Sequence, residues 1–185
     1  MKRFAFCPVC GARLEGGAAG PADLEGDQDP VDVLVCAACD FHFWQGSKPA
    51  VGAILLRTMG GKRQVLLTRR GIEPYKGEWD LPGGFLSNGE RPEDGLNREL
   101  REELGVAVSN PKFFATEVDQ YNRDDIAVQA RFVLSMFFAC DVAADAQFLP
   151  ADDVVEAAWF PLDTLPAELA FDCNRRVLTK FCASP

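Results

Sequence analysis

Glu99, Glu102 and Glu103 stand at i, i+3 and i+4 of one segment. On a helix that spacing places three side chains on one face, within an arc of roughly 100°. Like charges so arranged weaken a helix by roughly a few tenths of a kcal/mol. A purely structural helix gains nothing from the crowding. A divalent cation does, because hard cations want several carboxylate oxygens converging on one point. A second group of chemistry-bearing residues precedes it: Cys7-x-x-Cys10 and Cys36-x-x-Cys39 each have the spacing of one knuckle of a tetrahedral Cys₄ zinc site.

The glutamates need a helix and a loop to aim them. Pro92 suits the first helical position, where its missing N–H is harmless, and Glu93 and Asp94 favour the first turn. Gly105 suits the residue that ends a helix. Leu96, Leu100 and Leu104 form an apolar stripe. Glu103 lies closest to it and should be partly desolvated. Arg98 sits one turn before Glu102 and beside Glu99, suited to pairing with Glu90 or to fixing Glu99 with its planar fork. Gly83, Gly84 and Gly89 allow the preceding loop to approach a ligand closely.

The run Gly84-x5-Glu90-x7-Arg98-Glu99-Leu100-x-Glu102-Glu103-x-Gly105-Val106 resembles the Nudix box at every fixed position. At average residue usage, a chance match in a chain of this size is on the order of one in a million. Gly77-Glu-Trp79-Asp-Leu81-Pro82-Gly83-Gly84 and Trp159-Phe160-Pro161-Leu162 resemble two further Nudix segments. The resemblance implies that Gly84, Glu99, Glu102 and Glu103 hold Mg²⁺ or Mn²⁺, and that Glu103, Glu99, Arg98 and Glu90 form the catalytic set. The implied reaction is attack of water on a phosphoanhydride, with a cation neutralising phosphate and a glutamate taking the proton. Glu99 and Glu103 are the box candidates for that base; Glu117 or Glu156 would have to reach in from another element. A charge run is more often a solvated helix face, but here the loop, caps and flanks agree with the cation reading.

The chain has 185 residues, enough for one sizeable core and a small appendage. Nearly half is apolar, which argues against disorder. A net charge of −9 disfavours nucleic acid as a partner and makes bound cations necessary for an anionic substrate. No apolar run has transmembrane length and the N-terminus lacks a signal-peptide core, so a cytoplasmic protein without a membrane partner is expected. A homodimer is a permitted assembly.

Cys7-Pro8-Val9-Cys10-Gly11 resembles a zinc-ribbon knuckle, and Zn²⁺ at Cys7, Cys10, Cys36 and Cys39 would staple a segment too poor in apolar residues to fold alone. Disulfides or a redox pair remain the alternatives. Residues 16–30 read as a loop rich in Gly, Ala and Asp. His42 reads as packing among aromatics, and Cys140, Cys173 and Cys182 as buried packing residues. With a single histidine, a Ser-His-Asp or Cys-His mechanism has little support.

These signals predict a zinc ribbon over residues 1–47 and a Nudix α/β/α sandwich with a mixed sheet over 48–185. Strands are expected over 50–57, 64–68, 112–118, 128–138 and 155–160, with a second helix over 171–182. Arg69 to Trp79 reads as a loop whose Arg69, Arg70, Tyr75 and Lys76 are candidates for holding phosphate or stacking a base. Asp119 to Asp125 reads as a polar turn at the pocket.

A ribbon followed by a Nudix domain resembles the NADH pyrophosphatase subgroup and its shorter relatives. Members specific for NADH carry S-Q-P-W-P-F-P-x-S after the box, where this chain has Ser109-Asn-Pro-Lys-Phe-Phe-Ala-Thr116. The expected substrate is therefore a small nucleotide such as ADP-ribose, FAD or a similar dinucleotide-type pyrophosphate. Cleansing of nucleoside triphosphates is the enzymatic alternative, and a non-catalytic nucleotide sensor is the alternative from another class.

Overall fold

A computed structural model describes residues 5–14, 33–44, 46–121, 132–142 and 146–184. These fall into two compact units, one ending at Ser47 and one beginning at Lys48. The loop expected over 16–30 lies outside the described residues.

In the first unit, β1 (Val33–Val35) and β2 (His42–Trp44) pair antiparallel, with Val35 opposite His42. The two C-x-x-C segments turn alike. Gly11 N–H donates to Cys7 O at 3.0 Å, and Asp40 N–H to Cys36 O at 2.8 Å. Cys7 N–H then donates to Ala12 O, and Cys36 N–H to Phe41 O. Both closing residues take positive φ, +73° at Gly11 and 58° at Asp40. The turn demands that conformation, which glycine takes freely and aspartate tolerates. His42 turns its Nε2 to within 3.1 Å of Asp40 Oδ1.

The second unit is built on β3 (Lys48–Met59), which turns at Gly60-Gly61 into antiparallel β4 (Lys62–Arg70). The chain then forms short β5 (Trp79–Asp80), α1 (Pro92–Leu104), β6 (Lys112–Gln120), β7 (Phe132–Asp141), β8 (Val154–Pro161) and α2 (Asp172–Ala183). The sheet runs β5-β4-β3-β7-β6, with β8 paired along β4. Parallel pairing of β3 with β7 amid antiparallel neighbours makes it mixed.

Alternation along β3 sorts the core into two layers. Val51, Ala53 and Leu55 pack with Leu66 and with Leu96, Leu100 and Leu104 of α1. Ile54 packs on the other face with Val65, Leu67 and with Val177, Leu178 and Phe181 of α2. Burial on both faces explains why β3 reads as a continuous apolar run.

The strands outrun their expected limits. Pairing with β8 carries β4 through Arg70, so Arg69 and Arg70 are strand residues rather than loop residues, and Trp79 opens β5. Asp119 and Gln120 belong to β6 because they pair with Val133 and Phe132. Of the expected strand 128–138, residues 128–131 lie outside the described residues, as do 122–125 of the expected turn. Cys140 and Cys173 are buried as expected, but Cys182 is exposed, because the last turn of α2 directs it outward.

Leu178 is fully buried in the α2 layer. Replacing it with alanine should lower stability by about 2–5 kcal/mol, the usual cost of such a cavity, measured by urea denaturation at unchanged m-value.

Candidate active site

The loop ahead of α1 is fixed by β3. Ala53 N–H donates to Pro82 O at 2.8 Å, Val51 N–H to Gly84 O at 2.9 Å and Leu86 N–H to Pro49 O at 3.1 Å. The loop thus runs as a short extra strand beside β3. Gly83 has φ +143°, and a Cβ there would fall 2.2 Å from Val51 O. Only glycine fits. Its N–H donates to Glu103 Oε2 at 2.9 Å. A Cβ on Gly84 would lie 2.6–2.7 Å from the Glu99 carboxylate. Loop and helix therefore meet at these two glutamates. The Gly84 carbonyl accepts from Val51, and its second lone pair leaves capacity for a cation.

Helix α1 follows its sequence signals. Pro92 opens it, and Gly105 closes it at φ 71°, its N–H donating to Arg101 O and that of Val106 to Leu100 O. Arg98 ties the charged face together. Its Nε and Nη2 donate to the two oxygens of Glu90 at 2.8 and 2.9 Å. Nη1 donates to Glu99 Oε1 at 2.8 Å and Glu102 Oε2 at 3.0 Å, and Nη2 reaches Phe85 O. Pairing with Arg98, with help from the Ser87 N–H, lowers the Glu90 pKa to about 2. Glu90 is thereby a fixed anion that positions the guanidinium.

A cavity of about 340 Å³ opens over this junction. Glu99 and Glu103 line it, together with Asp80, Asp119, Asp152 and Asp153. Glu102 does not line it; that side chain is about half exposed and held from the side by Arg98. Burial pushes Glu103 up to about 9, with further push from the charges of Asp153, Asp80 and Glu99 outweighing the Gly83 N–H. Burial also raises Glu99. Such concentrated carboxylate, only partly offset by Arg70 and Arg98, is the donor chemistry that a divalent cation requires.

Asp119 was expected at the pocket and lines it, whereas Asp80, Asp152 and Asp153 were missed from the sequence. Asp152 and Asp153 precede β8, and Asp80 lies within the Gly77–Gly84 segment, so only the acidic pair itself was a signal. Asp80 is buried and held by Arg70 Nη1 at 2.8 Å and Asn174 Nδ2 at 2.6 Å. Of the four expected substrate-binding residues, Arg70 lines the cavity, engaged with Asp80. Arg69, Tyr75 and Lys76 are not among the lining residues. Arg69 stacks on Trp79 at 4.7 Å beside Glu156, and Tyr75 packs edge-on against Phe171. Lys76 is exposed. Glu117 is buried between Arg176 and Lys180 of α2, and Glu156 is half exposed; neither lines the cavity.

The four knuckle sulfurs of Cys7, Cys10, Cys36 and Cys39 all lie within 4.8 Å of one another. Cys7 and Cys39 Sγ are 3.7 Å apart, Cys10 and Cys36 Sγ 3.6 Å. A tetrahedron with Zn–S of about 2.3 Å has edges of about 3.8 Å, whereas a disulfide needs about 2.05 Å. The arrangement fits a shared metal rather than two bridges.

A mixed sheet between two helices, with a glycine loop delivering helical glutamates into an acidic cleft, defines the class. Residues 46–181 match the NUDIX domain model, and the chain belongs to that family. An ADP-ribose pyrophosphatase of Methanocaldococcus jannaschii is 36% identical over 109 residues, 59% of this chain and 60% of that protein. The NAD-capped RNA hydrolase NudC of Pseudomonas aeruginosa is 27% identical over 161 residues, 87% of this chain and 49% of that protein. The chain thus spans about half to three-fifths of the length of these relatives. The crystal structure of a NUDIX hydrolase from Nitrosomonas europaea superposes with a TM-score of 0.72 at 27% identity, covering 96% of this chain and 90% of that one. No helix among the described residues is long and apolar enough to cross a membrane.

The Gly84 geometry makes a separable prediction. In Gly84→Ala the nearest atoms the new Cβ meets are those at the end of the flexible Glu99 side chain. The melting temperature should change little, while divalent-cation affinity falls about tenfold or more as Glu99 is displaced, read by calorimetric titration with Mg²⁺.

Proposed function

We propose that this chain hydrolyses the phosphoanhydride of a nucleoside diphosphate linked to a second group, as a Mg²⁺- or Mn²⁺-dependent enzyme. The meeting of Glu99 and Glu103 with the Gly83-Gly84 loop inside the cavity carries this reading. The carboxylates fit a divalent cation, since burial raises both and Glu103, beside Asp153, Asp80 and Glu99, has more negative charge around it than the Gly83 N–H offsets. Gly84 O, Glu99 and Glu103 would hold it, with Glu102 at the outer side. A bound cation would neutralise the phosphates and lower the pKa of water. Either Glu99 or Glu103 would accept the proton of the attacking water. Arg98, locked by Glu90, keeps Glu99 and Glu102 oriented.

Glu103→Gln should preserve the fold and lower kcat by at least about 10²-fold, the scale of losing a base or a metal ligand. Turnover equal to the unmodified chain at saturating Mg²⁺ would refute the assignment. The pH dependence has a definite sign. Without a cation, Glu103 keeps its proton up to about pH 9, so binding at pH 7 must displace that proton. Mg²⁺ affinity should rise with pH up to that value, with close to one proton released per ion in the unmodified chain and none from this carboxyl in Glu103→Gln. Calorimetry in buffers of different ionisation enthalpy measures it.

Residues 1–47 are the zinc ribbon in this reading, and 48–185 the catalytic domain. Protein purified without added metal should contain about one zinc per chain, and chelation should loosen the ribbon before the catalytic domain. Elemental analysis showing no zinc, with four reactive thiols, would sink the assignment.

ADP-ribose and FAD are the substrates we favour. The order of ribbon and Nudix domain supports them, as does the similarity to a relative named for ADP-ribose. Either should show a higher kcat/KM than any nucleoside triphosphate, with AMP among the products. Pyrophosphate release from a triphosphate as the fastest reaction would instead identify a triphosphate-cleansing enzyme.

A further inference from the structure

The first turn of α2 forms part of the cavity wall, through Phe171, Cys173 and Asn174. Its N-cap residue, Phe171, makes no side-chain cap and stands at φ 57°. That conformation is an outlier for a bulky side chain and persists only where the surroundings enforce it. Two distant carboxylates do so. Asp119 of β6 accepts the Cys173 N–H through Oδ2 at 2.8 Å, so a donor left over at the helix start is capped from another element. Asp80 of β5 accepts from Asn174 Nδ2 through Oδ1 at 2.6 Å, and the same Nδ2 donates to Ala170 O at 2.8 Å. Ala170 N–H in turn donates to Trp79 O at 2.7 Å. Strands β5 and β6 end the order β5-β4-β3-β7-β6. The turn is thus fastened across the sheet, to β6 at one end and to β5 at the other.

A second set of contacts holds the rest of the helix. Glu117, two residues before Asp119 on the same face of β6, pairs with Arg176 Nε at 2.8 Å and with Lys180. Arg176 Nη2 also donates to Val118 O at 2.9 Å. Cys173, Arg176 and Lys180 stand at i, i+3 and i+7, one stripe of α2 facing β6. Glu117, Arg176 and Lys180 are not among the lining residues, whereas Asp119 is. The second oxygen of Asp119 accepts the Gln120 N–H at 2.9 Å, so backbone donors fix the whole carboxylate. We infer that Asp119 is a positioning residue for substrate binding, acting through the first turn of α2, which it holds as a wall of the cavity. This rests on the phosphoanhydride reading above and adds to it a residue outside the Glu99–Glu103 junction. Contacts to the non-reacting part of a substrate supply the binding energy that orients the reacting centre. Loosening the wall therefore weakens binding more than it slows the step at Glu99 and Glu103.

Amide hydrogen exchange and steady-state kinetics on the full chain test this. Loss of the cap in Asp119→Ala should speed exchange of the Cys173 amide about tenfold. Asp119→Asn, whose amide oxygen still accepts, should stay close to the unmodified chain. With Mg²⁺ saturating, Asp119→Ala should raise KM for ADP-ribose about tenfold, well beyond any fall in kcat, and Asp119→Asn should restore most of it. Glu117→Gln is the control for helix stability: it should lower the melting temperature and leave KM nearly unchanged. Should Asp119→Ala fail to fold, Asp119→Val, better suited to a strand, makes the same comparison. A folded Asp119→Ala with unchanged KM overturns the proposal. So does an equal rise of KM in Glu117→Gln, which would make the stability of α2 the cause, and so does Asp119→Asn behaving as Asp119→Ala. Rapid exchange of the Cys173 amide in the unmodified chain overturns it whatever the ligand. If the unmodified chain hydrolyses no diphosphate, the hydrolase reading fails, and the calorimetric affinity for ADP-ribose replaces KM in the same comparison. Hydrolysis of ADP-ribose with a KM indifferent to Asp119 refutes the positioning role alone.

Discussion

The contact on which the site depends is the edge-on seat of residues 82–86 against β3. Where β4 has diverged toward β8 and β5, the loop takes the vacated backbone groups of Val51 and Ala53. That seat requires a residue without a side chain at Gly83, where any Cβ would enter the Val51 carbonyl. With the loop in place, the Gly83 N–H meets Glu103 and the Gly84 backbone meets Glu99. Loop, sheet and helix are thus joined at the two carboxylates that face the cavity. The leucine stripe of α1 fixes the other side of the same joint by burying Leu96, Leu100 and Leu104 against β3 and β4.

Charge is the second constraint. Concentrating carboxylates in a half-enclosed cavity is costly unless a cation or a proton compensates. The fold answers in two ways. On the outer face, Arg98 gathers Glu90, Glu99 and Glu102 around one guanidinium, whose fork a lysine would not reproduce. On the inner face the Gly83 N–H is the hydrogen-bond donor to Glu103 found among the described residues, and burial beside other carboxylates pushes Glu103 up to about 9. The opposite shifts of Glu90 and Glu103, thirteen residues apart on the same loop–helix unit, follow from this division.

The first unit relies on a different solution. Two knuckles with the same hydrogen-bond pattern bring four thiols to the vertices of a small tetrahedron.

Much of this was written locally. The spacing of Glu99, Glu102 and Glu103, the leucine stripe, Pro92 and Gly105 specify a capped amphipathic helix, because helix periodicity and caps act over a few residues. The C-x-x-C pairs specify two knuckles for the same reason. What the sequence left open were relations between distant segments. Nothing local says that Asp80 and Asp153 share a cavity with Glu103, that Asp80 is held by Arg70 and Asn174, or that Glu102 faces outward. The limits of β4 and β6 depended on partners in β8 and β7, which extended strands into segments whose polar residues read as loop. The rings of Phe85, Tyr121 and Phe171 meet from three separate segments. Short-range patterns determine what each segment becomes. Which side chains face one another across the cavity is set by strand register and the docking of both helices, and only the tertiary structure decides that.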